Sequence, residues 1–547
     1  DAVDDARPDA VRAERIELGH SLQKHDHEAQ QPDTGLEPSK LTGVTQSIGH
    51  QVVLVSRLHR GRILHTGIMD LAITVSGCLS RISSHADSGV MTTKHGRKAA
   101  IIGAGQTGAT AALGLLDKGF DVTVYSDRNQ RSLREDVPAT GTALIFGQAQ
   151  RAEASLGLTS YLEPGPTASG LSVRLVDGTE PGRPEVIAFD ADFDGGTRSV
   201  AVDTRLKADD RLTQFQERGG RFVVEQVHPE RLDGIAAEHD LTLVATGRSG
   251  LSSLFPVDAS RTVYDRPQRR LLMLTVAGLG HGPDVFAHRG TAGAAHSAFS
   301  FITDQGEAWW GPYLHKDAGP SWSFLTWAKP GSDWERRYAE VDSAASALRA
   351  VTDVHREYID WDLPEVLSLN VIEEDPHSWI TGAVTQLVRH GVGHTASGHP
   401  VAALGDTAVA YDPIAGQGAQ GGLVQAAALV HKAAAHDGPF DTAWLTAAFE
   451  EFYDRRARAA QLVTRLYLGD DELHDYGDLF FAAGHVHHGF ASKLFSLLDD
   501  PKPFERVTSV EAAKELITEW AGEPADAILE RFSPAGRFAR SGLAPAA

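Results

Sequence analysis

The pattern of apolar and polar residues changes sharply near residue 97. Ala99–Ile102 is an uninterrupted apolar run, and it is followed by glycines and then by the small-residue stretch Ala109–Lys118. A second run that is mostly apolar, Phe120–Tyr125, comes next. Short apolar runs bounded by glycine are typical of buried parallel strands, and the stretch between them has the length of a crossover helix. The pattern predicts a strand–helix–strand unit.

Downstream, strand-like and helical patterns alternate before helices take over. The remaining predicted elements are, in chain order, strand-like sequence at 170–200, a helix at 205–218, a short strand into a turn at 241–247, β-prone runs at 271–276, 321–327 and 366–372 with one helix near 333–355, and mainly helices after Asp406. This order predicts an α/β protein, in which a mixed β-sheet domain is inserted into a Rossmann-like nucleotide-binding domain and a helical region ends the chain.

The residues before the first strand differ from the rest. Asp1–Gly43 is polar and has no sustained apolar period, so it cannot bury enough surface to offset the entropy of ordering it. We expect the natural start at Met91, and a genuine disordered arm is the alternative. The predicted boundaries are an N-terminal extension at 1–96, the two parts of the nucleotide-binding domain at 97–260 and 396–440, a mainly β substrate domain at 261–395, and a helical region at 441–547.

Composition excludes several classes of function. The chain has 547 residues, a net charge of -22 and one cysteine. The single cysteine excludes an internal disulfide framework and a thiolate metal cluster. The negative charge argues against a nucleic acid or an anionic membrane as partner. The chain lacks an apolar run of the ~18–20 residues that a membrane span needs, so we expect a cytoplasmic protein. The 25 histidines show no spacing typical of metal ligands, and we predict no metal site.

A glycine-rich turn joins the first strand to the first helix. Gly103, Gly105 and Gly108 form a G-x-G-x-x-G motif in this context, where the glycines permit a tight turn, close approach of a diphosphate and close packing of the helix. The motif predicts dinucleotide binding, and a purely structural glycine turn is the alternative. An acid after the second strand often binds the ribose, and Asp127, followed by Arg128, takes that place one residue late. Asp127 either binds the ribose or caps the next turn.

A second motif lies about three hundred residues further on. Gly405-Asp406 is followed by Asp412-Pro413 and then by Gly416-Gln417-Gly418. We expect Asp406 to accept a hydrogen bond from a ribityl or ribose hydroxyl. The glycines at a helix start would bring backbone N–H groups to the flavin pyrimidine edge, where negative charge develops on reduction. The run 416–421 also fits G-x-G-x-x-G, but no second βαβ unit surrounds it, so we do not interpret it as an NAD(P)H site. Together the two motifs predict FAD as the cofactor.

Several segments resemble those of a known protein family. Asp121–Arg128, with its displaced Asp-Arg, and Val202–Leu206 resemble the oxygenase components of two-component styrene and indole monooxygenases. Asp412–Ala419 and Phe452–Arg456 fit that family as well, and the resemblance covers roughly residues 97–535. One departure concerns Val137–Phe146, where the family has an active-site strand that contains asparagine. No asparagine occurs in this segment.

The resemblance implies a reaction. A separate NADH-dependent flavin reductase would supply reduced FAD, O2 would add to it as a C4a-peroxyflavin, and one oxygen atom would pass to a styrene- or indole-like aromatic substrate as an epoxide. The protein would exclude water from the site of this reaction. No catalytic acid or base is assigned, and a homodimer stays open. The candidate cofactor-binding residues are Gly103, Gly105, Gly108, Asp127, Arg128, Asp406, Asp412, Pro413, Gly416, Gln417 and Gly418.

Aromatic residues of the middle domain could form the substrate pocket. They are Phe299, Phe301, Trp309, Trp310, Trp322, Phe324 and Trp327. Such a lining suits an apolar aromatic substrate, but each residue could equally be an ordinary core aromatic. Two other functions are open: a single-component hydroxylase that binds NAD(P)H itself, and a non-catalytic binding protein that retains the fold. Ser321–Trp327 lacks the Trp-x-Trp-x-Ile-Pro pattern of flavin-dependent halogenases.

Overall fold

A computed structural model describes residues 96–163, 165–248, 250–290 and 296–532. All of them lie in one compact unit, Ser88–Ala547. The predicted N-terminal extension, apart from residue 96, and the predicted start at Met91 lie outside the described residues.

The strands are short at the nucleotide-binding end of the chain and long in its middle. In chain order they are β1 Lys98–Ile102, β2 Asp121–Ser126, β3 Gly170–Val176, β4 Glu185–Asp192, β5 Ala201–Val202, β6 Arg221–Val224, β7 Leu241–Val244, β8 Arg270–Ala277, β9 His296–Ile302, β10 Gly306–His315, β11 Gly319–Ala328, β12 Asn370–Val371, β13 Trp379–Gly382, β14 Leu387–Val388, β15 Val392–His394, β16 Pro400–Ala403 and β17 Val409–Ala410.

Helices flank the sheets and then dominate the C-terminal region. In chain order they are α1 Gln106–Asp117, α2 Gln130–Glu135, α3 Gly147–Ser155, α4 Thr204–Glu217, α5 Pro229–Glu238, α6 Asp333–Ala339, α7 Ala344–Tyr358, α8 Leu363–Val366, α9 Gln417–Ala435, α10 Thr442–Phe452, α11 Arg458–Leu468, α12 His474–Val486, α13 His488–Ser496, α14 Val510–Ala521 and α15 Ala525–Arg531.

The first sheet has the order β15-β16-β7-β1-β2-β6. Every pair in it is parallel except β15 with β16. Ala99, Ala100 and Ile101 of β1 are fully buried, because helices cover both faces of a parallel sheet. The predicted α/β fold with a Rossmann-like sheet is confirmed. β16, from the second part of the chain, pairs with β7 and so brings the second motif beside the first.

The second sheet is mixed and has the order β12-β8-β11-β10-β9-β3-β4, with β13 on β8 and β5 on β10. Strands β3, β4 and β5 come from the range 97–260, which the sequence assigns to the nucleotide-binding domain. They lie in the mixed sheet instead, because β3 pairs with β9 in parallel and β5 pairs with β10. These pairings join residues about a hundred positions apart, and such contacts leave no mark on the local sequence.

Two predicted elements differ from the structure. The single helix expected near 333–355 is two helices, α6 and α7, each with its own N-cap, because Ser332 accepts from Glu335 N and Ser343 forms a capping box with Ser346. The β-prone run 366–372 is a strand only at Asn370–Val371, because its first residue, Val366, is the last residue of helix α8.

The C-terminal helices α11, α12 and α13 pack against the mixed sheet, while α14 packs on α12 and α13, and α15 packs on α12. Phe189 of β4 stacks on Phe495 of α13, and Phe299 of β9 stacks on Tyr467 of α11. All four side chains belong to one buried cluster that joins the sheet to the helices. Among the described residues, no helix combines the length and the apolar character that crossing a bilayer requires.

Candidate functional site

The first glycine motif forms the turn between β1 and α1. Gly103 has a φ of +111°, and a Cβ there would lie 2.3 Å from the Ala245 carbonyl oxygen. A Cβ at Gly108 would lie 2.0 Å from the Gly103 oxygen. Both positions therefore require glycine. Gly105 is different, because a Cβ there would meet no atom within 4 Å. Gly105 faces open space.

Helix α1 starts at this turn with its amide groups free of a side-chain cap. Its N-cap is Gly105, which has no side chain to accept a hydrogen bond, and no acidic residue lies in the first turn. The N–H groups of a helix start, together with the helix dipole, attract anions such as a diphosphate. The sequence therefore folds here into a positively polarised helix end with room in front of it.

The second motif lies directly beside the first. A Cβ at Gly405 would lie 3.3 Å from Thr107 Cγ2, and a Cβ at Gly422 would lie 2.6 Å from Thr107 Oγ1. Helix α9 thus approaches α1 as closely as small residues permit. Gln425 of α9 holds the turn, because its Oε1 accepts from Gly405 N at 2.8 Å. The two motifs, about three hundred residues apart in the chain, form one structural unit.

A cleft with a cavity volume of about 290 Å³ runs between the two motifs. Its walls come from the first turn, the segment after α2, helix α4, the end of β7 and the second motif. The lining residues are Ala104, Gly105, Gln106, Thr107, Gly108, Leu133, Val137, Pro138, Thr140, Gly141, Thr204, Arg205, Ala208, Ala245, Gly247, Leu404, Gly405, Asp406, Gly418 and Ala419.

Asp406 supplies a polar acceptor in this cleft. Its carboxylate makes no hydrogen bond to any residue in the described ranges. Burial raises its pKa, while the charges of Arg248 and Arg389 act in the opposite direction. Asp406 is half-buried, and a partly desolvated carboxylate without a donor is destabilising unless a ligand supplies one. A free helix start, open space at Gly105 and an unpartnered carboxylate along one cleft fit the diphosphate and hydroxyl groups of FAD.

The other candidate cofactor-binding residues fall into three groups by their position relative to this cleft. Pro413 and Gly416 line a second cavity that adjoins the second motif. Asp412 and Gln417 are buried behind it. Asp127 and Arg128 lie beyond the end of β2 with about half of each side chain exposed, 3.4 Å from one another, and neither lines the cleft cavity. The ribose-binding role of Asp127 stays a prediction.

The second cavity is almost wholly apolar. It lies between the mixed sheet, the second motif and the C-terminal helices. Its lining residues are Ala143, Leu144, Phe146, Leu171, Phe193, Phe299, Trp309, Leu325, Trp327, Pro413, Ile414, Ala415, Gly416 and Leu498. Pro413 to Gly416 immediately precede helix α9, whose second residue, Gly418, lines the cleft, so the two cavities meet across the second motif.

The seven predicted pocket aromatics separate into two groups. Phe299, Trp309 and Trp327 line the apolar cavity. Phe301 packs in the cluster that surrounds it. The other three, Trp310, Trp322 and Phe324, pack in the opposite core under α6 and α7. These three are therefore ordinary core residues. Side chains alternate across a strand, so neighbouring residues cannot share a face. That alternation could have separated them in the sequence.

The segment 137–146, which lacks the family's asparagine, lies where the two cavities meet. Residues 137, 138, 140 and 141 line the cleft, and residues 143, 144 and 146 line the apolar cavity. Between them, the Thr142 hydroxyl is buried and has no hydrogen-bond partner among the described residues. No sequence motif points to Thr142 or to the lining residue Phe193.

A buried ionic network fixes this segment. Arg205 Nη2 lies 2.7 Å from Asp203 Oδ2 and 2.6 Å from Asp375 Oδ2, and its Nη1 donates to the Val137 oxygen at 3.1 Å. His315 Nε2 lies 2.9 Å from Asp375 Oδ2. Burial alone would raise the pKa of Asp375, but the hydrogen bonds from His315 and Arg205 outweigh it and hold the pKa well below its usual range. The cleft wall is therefore tied rigidly to the mixed sheet.

The described residues contain no group of three or more His, Cys, Asp or Glu side chains that could hold a metal ion.

Comparison with known proteins agrees with this geometry. Residues 247–364 match the family model described as "Styrene monooxygenase A putative substrate binding domain". Styrene monooxygenase StyA of Pseudomonas fluorescens is 26% identical over 335 residues, which are 59% of this chain and 74% of that protein. Its counterpart from Pseudomonas sp is 26% identical over 334 residues, with the same coverage. Among solved structures, a flavoprotein/dehydrogenase from Cytophaga hutchinsonii has a TM-score of 0.50 at 13% identity, covering 77% of this chain and 98% of that one.

The fold and the two-motif cleft, together with these relatives, define a flavin-dependent monooxygenase that uses FAD. Within that class, the chain resembles a styrene monooxygenase-type oxygenase, because it is similar to the two StyA proteins and matches the substrate-binding domain model. The resemblance inferred from the sequence is confirmed.

Proposed function

We propose that this chain is the oxygenase component of a two-component system that transfers one oxygen atom from O2 to an apolar aromatic substrate, with styrene- or indole-like epoxidation as the reaction. A separate NADH-dependent flavin reductase supplies reduced FAD. The observation that carries the proposal is the apolar cavity lined by Phe299, Trp309 and Trp327, which meets the FAD cleft across the second motif.

The proposed FAD contacts follow from the cleft. The start of α1 at Gly105 would bind the diphosphate, and Asp406 would accept a hydrogen bond from a ribityl or ribose hydroxyl. The start of α9, with Gly418, would supply backbone N–H groups to the flavin pyrimidine edge. The apolar cavity beyond Pro413 adjoins this second motif.

Reduced FAD, when bound, supplies the centre that activates O2. The protein's residues orient the substrate and exclude water. The cavity has a volume of about 40 Å³, so its aromatic walls would move apart to hold a planar apolar ring by stacking and by area burial. Leu171, Leu325 and Leu498 complete a lining that offers water few hydrogen-bonding partners. A dry cavity favours transfer of oxygen to the substrate over release of peroxide.

The direct test supplies purified protein with enzymatically reduced FAD, O2 and either styrene or indole. Epoxide from styrene, or blue indigo from indole, is the expected result. Hydrogen peroxide without oxygenated product would contradict the proposed substrate class.

A control separates the two-component reaction from the single-component alternative. The protein is mixed anaerobically with oxidised FAD and NADH or NADPH, without reductase. We expect the flavin to keep its colour. Rapid bleaching would show that the chain reduces its own flavin, as a single-component hydroxylase does. A cytoplasmic location and a homodimer stay predictions.

A further inference from the structure

Arg456 is buried at an irregular point of the C-terminal helices. The five residues Tyr453–Ala457 form a π-helix between α10 and α11. Arg455 next to it exposes 78% of its side chain, whereas Arg456 exposes only 2% of its surface. π-Helical turns are rare and occur frequently at functional sites, because the extra residue redirects the side chains that follow. Here Arg456 points inward.

The guanidinium of Arg456 reaches the second motif. Its Nη2 donates to Gln417 Oε1 at 2.9 Å, and its Nη1 donates to Gln148 Oε1 and to the Asp499 backbone oxygen, the latter at 2.9 Å. Gln417 is the first residue of α9, and its Nε2 donates to the Ala415 oxygen at 2.8 Å. Arg456 therefore contacts the helix start that we propose lies against the flavin, and neither Arg456 nor Gln417 lines the cleft.

Arg456 forms no salt bridge within the described ranges, and its three hydrogen-bond acceptors are neutral oxygen atoms. Its Nε has no hydrogen-bond partner there. Burial lowers the pKa of Arg456, and the more distant charges of Asp499 and Asp500 act in the opposite direction, but a guanidinium stays protonated in proteins. A buried cation without a salt-bridge partner is destabilising, and a negative charge nearby offsets that cost.

We infer that Arg456 is a positioning residue that orients the start of α9 through Gln417 and makes the site prefer reduced FAD over oxidised FAD. The inference rests on the proposed placement of the flavin ring at the second motif. Two-electron reduction of a flavin with uptake of one proton leaves one negative charge on the ring. A fixed cation behind the helix start adds to the helix dipole and stabilises that charge.

The test measures two dissociation constants for each protein under anaerobic conditions, one for oxidised FAD and one for dithionite-reduced FAD. Arg456→Met removes the charge, and Arg456→Lys retains the charge while losing the two-branched hydrogen bonding. Arg455→Met is the matched control, since it removes an exposed charge one residue away. Thermal unfolding checks that each variant is folded.

We expect Arg456→Met to reduce the preference for reduced FAD by roughly tenfold, which equals about 30 mV for a two-electron couple. Arg456→Lys should bind both forms more weakly and keep the wild-type preference within about threefold. Arg455→Met should match the wild type.

Equal weakening of both forms in Arg456→Met, or no change, would overturn the electrostatic role. If that variant does not fold, Arg456→Lys decides the question, because loss of the preference with the charge retained would also overturn it. The measurement needs no substrate. A failure of aromatic oxygenation therefore leaves this result interpretable.

Discussion

Trp309 and Trp310 are consecutive on β10, yet they face opposite sides of the mixed sheet. Trp309 lines the apolar cavity. Trp310 donates its indole N–H to His355 Nε2 at 3.1 Å, in the core beneath α7. His355 Nδ1 is 2.7 Å from the Val351 oxygen, and burial lowers the pKa of His355 to about 4, so the ring is neutral and its Nε2 accepts. One tryptophan faces the proposed substrate, and the other holds a helix to the sheet.

Substituting these two tryptophans should therefore separate activity from stability. Trp310→Phe leaves the His355 acceptor buried and unsatisfied, which should cost about 1–3 kcal/mol of unfolding free energy. Its kcat/KM for styrene should stay within about twofold of the wild type. Trp309→Phe should change KM several-fold with a smaller loss of stability. Urea unfolding and steady-state kinetics measure both effects, and indistinguishable variants would contradict the two-sided arrangement.

The glycines of the first motif should respond differently to alanine. Gly108→Ala places a Cβ against the Gly103 oxygen, so it should destabilise the protein even without FAD. Gly105→Ala places a Cβ in open space, so the FAD-free protein should lose at most about 1 kcal/mol through weaker helix capping. Its affinity for FAD should fall at least about tenfold, since the Cβ occupies space proposed for the diphosphate.

Thermal unfolding and FAD titration distinguish the two effects. A Gly105→Ala protein with wild-type FAD affinity would show that the diphosphate does not approach this turn. Wild-type stability of Gly108→Ala would contradict the close contact with Gly103.

Asp412 should make stability depend on pH. Burial raises its pKa from 3.8 to about 7, although the hydrogen bond from Ile414 N and the charge of Arg269 act in the opposite direction. The folded protein therefore retains this proton between about pH 4 and pH 7, where the unfolded chain has released it. Stability then falls as pH rises through that window and levels off above it, for a total on the order of 4 kcal/mol.

Asp412→Asn removes this titration and keeps an acceptor for Ile414 N. The stability of this variant relative to the wild type should be higher at pH 8 than at pH 5, and any offset that is independent of pH cancels in the comparison. Unfolding in urea at both pH values measures the difference. An equal gap at pH 5 and pH 8 would show that Asp412 does not carry the buried charge.

The local parts of the site were predictable from the sequence. Gly103–Gly108 lies between a strand and a helix, and its spacing reflects contacts within a few residues, so the turn could be recognised directly. The second motif is equally local, because Gly405, Asp406 and Gly416 shape one continuous turn-to-helix segment. Both motifs are defined by backbone conformation, which short sequence patterns encode well.

The parts that depend on distant pairing were not predictable in the same way. The position of β3 beside β9, and hence of Phe193 at the apolar cavity, depends on strand register between segments far apart in the chain. The inward orientation of Arg456 depends on a π-helical turn, which no sequence pattern specifies. The alternation of Trp309 and Trp310 follows from strand β10, which is not among the strands that the sequence pattern predicts.

The central claim is that both motifs hold one FAD molecule, and titration of FAD into four proteins tests it most directly. These are the wild type, Gly105→Ala, Asp406→Asn and the double variant. Each single substitution should weaken binding about tenfold, and the double variant should show roughly the product of the two effects, because the residues contact separate parts of one ligand. Wild-type affinity in Asp406→Asn, with Gly105→Ala impaired, would show that the second motif does not hold FAD and would contradict the claim.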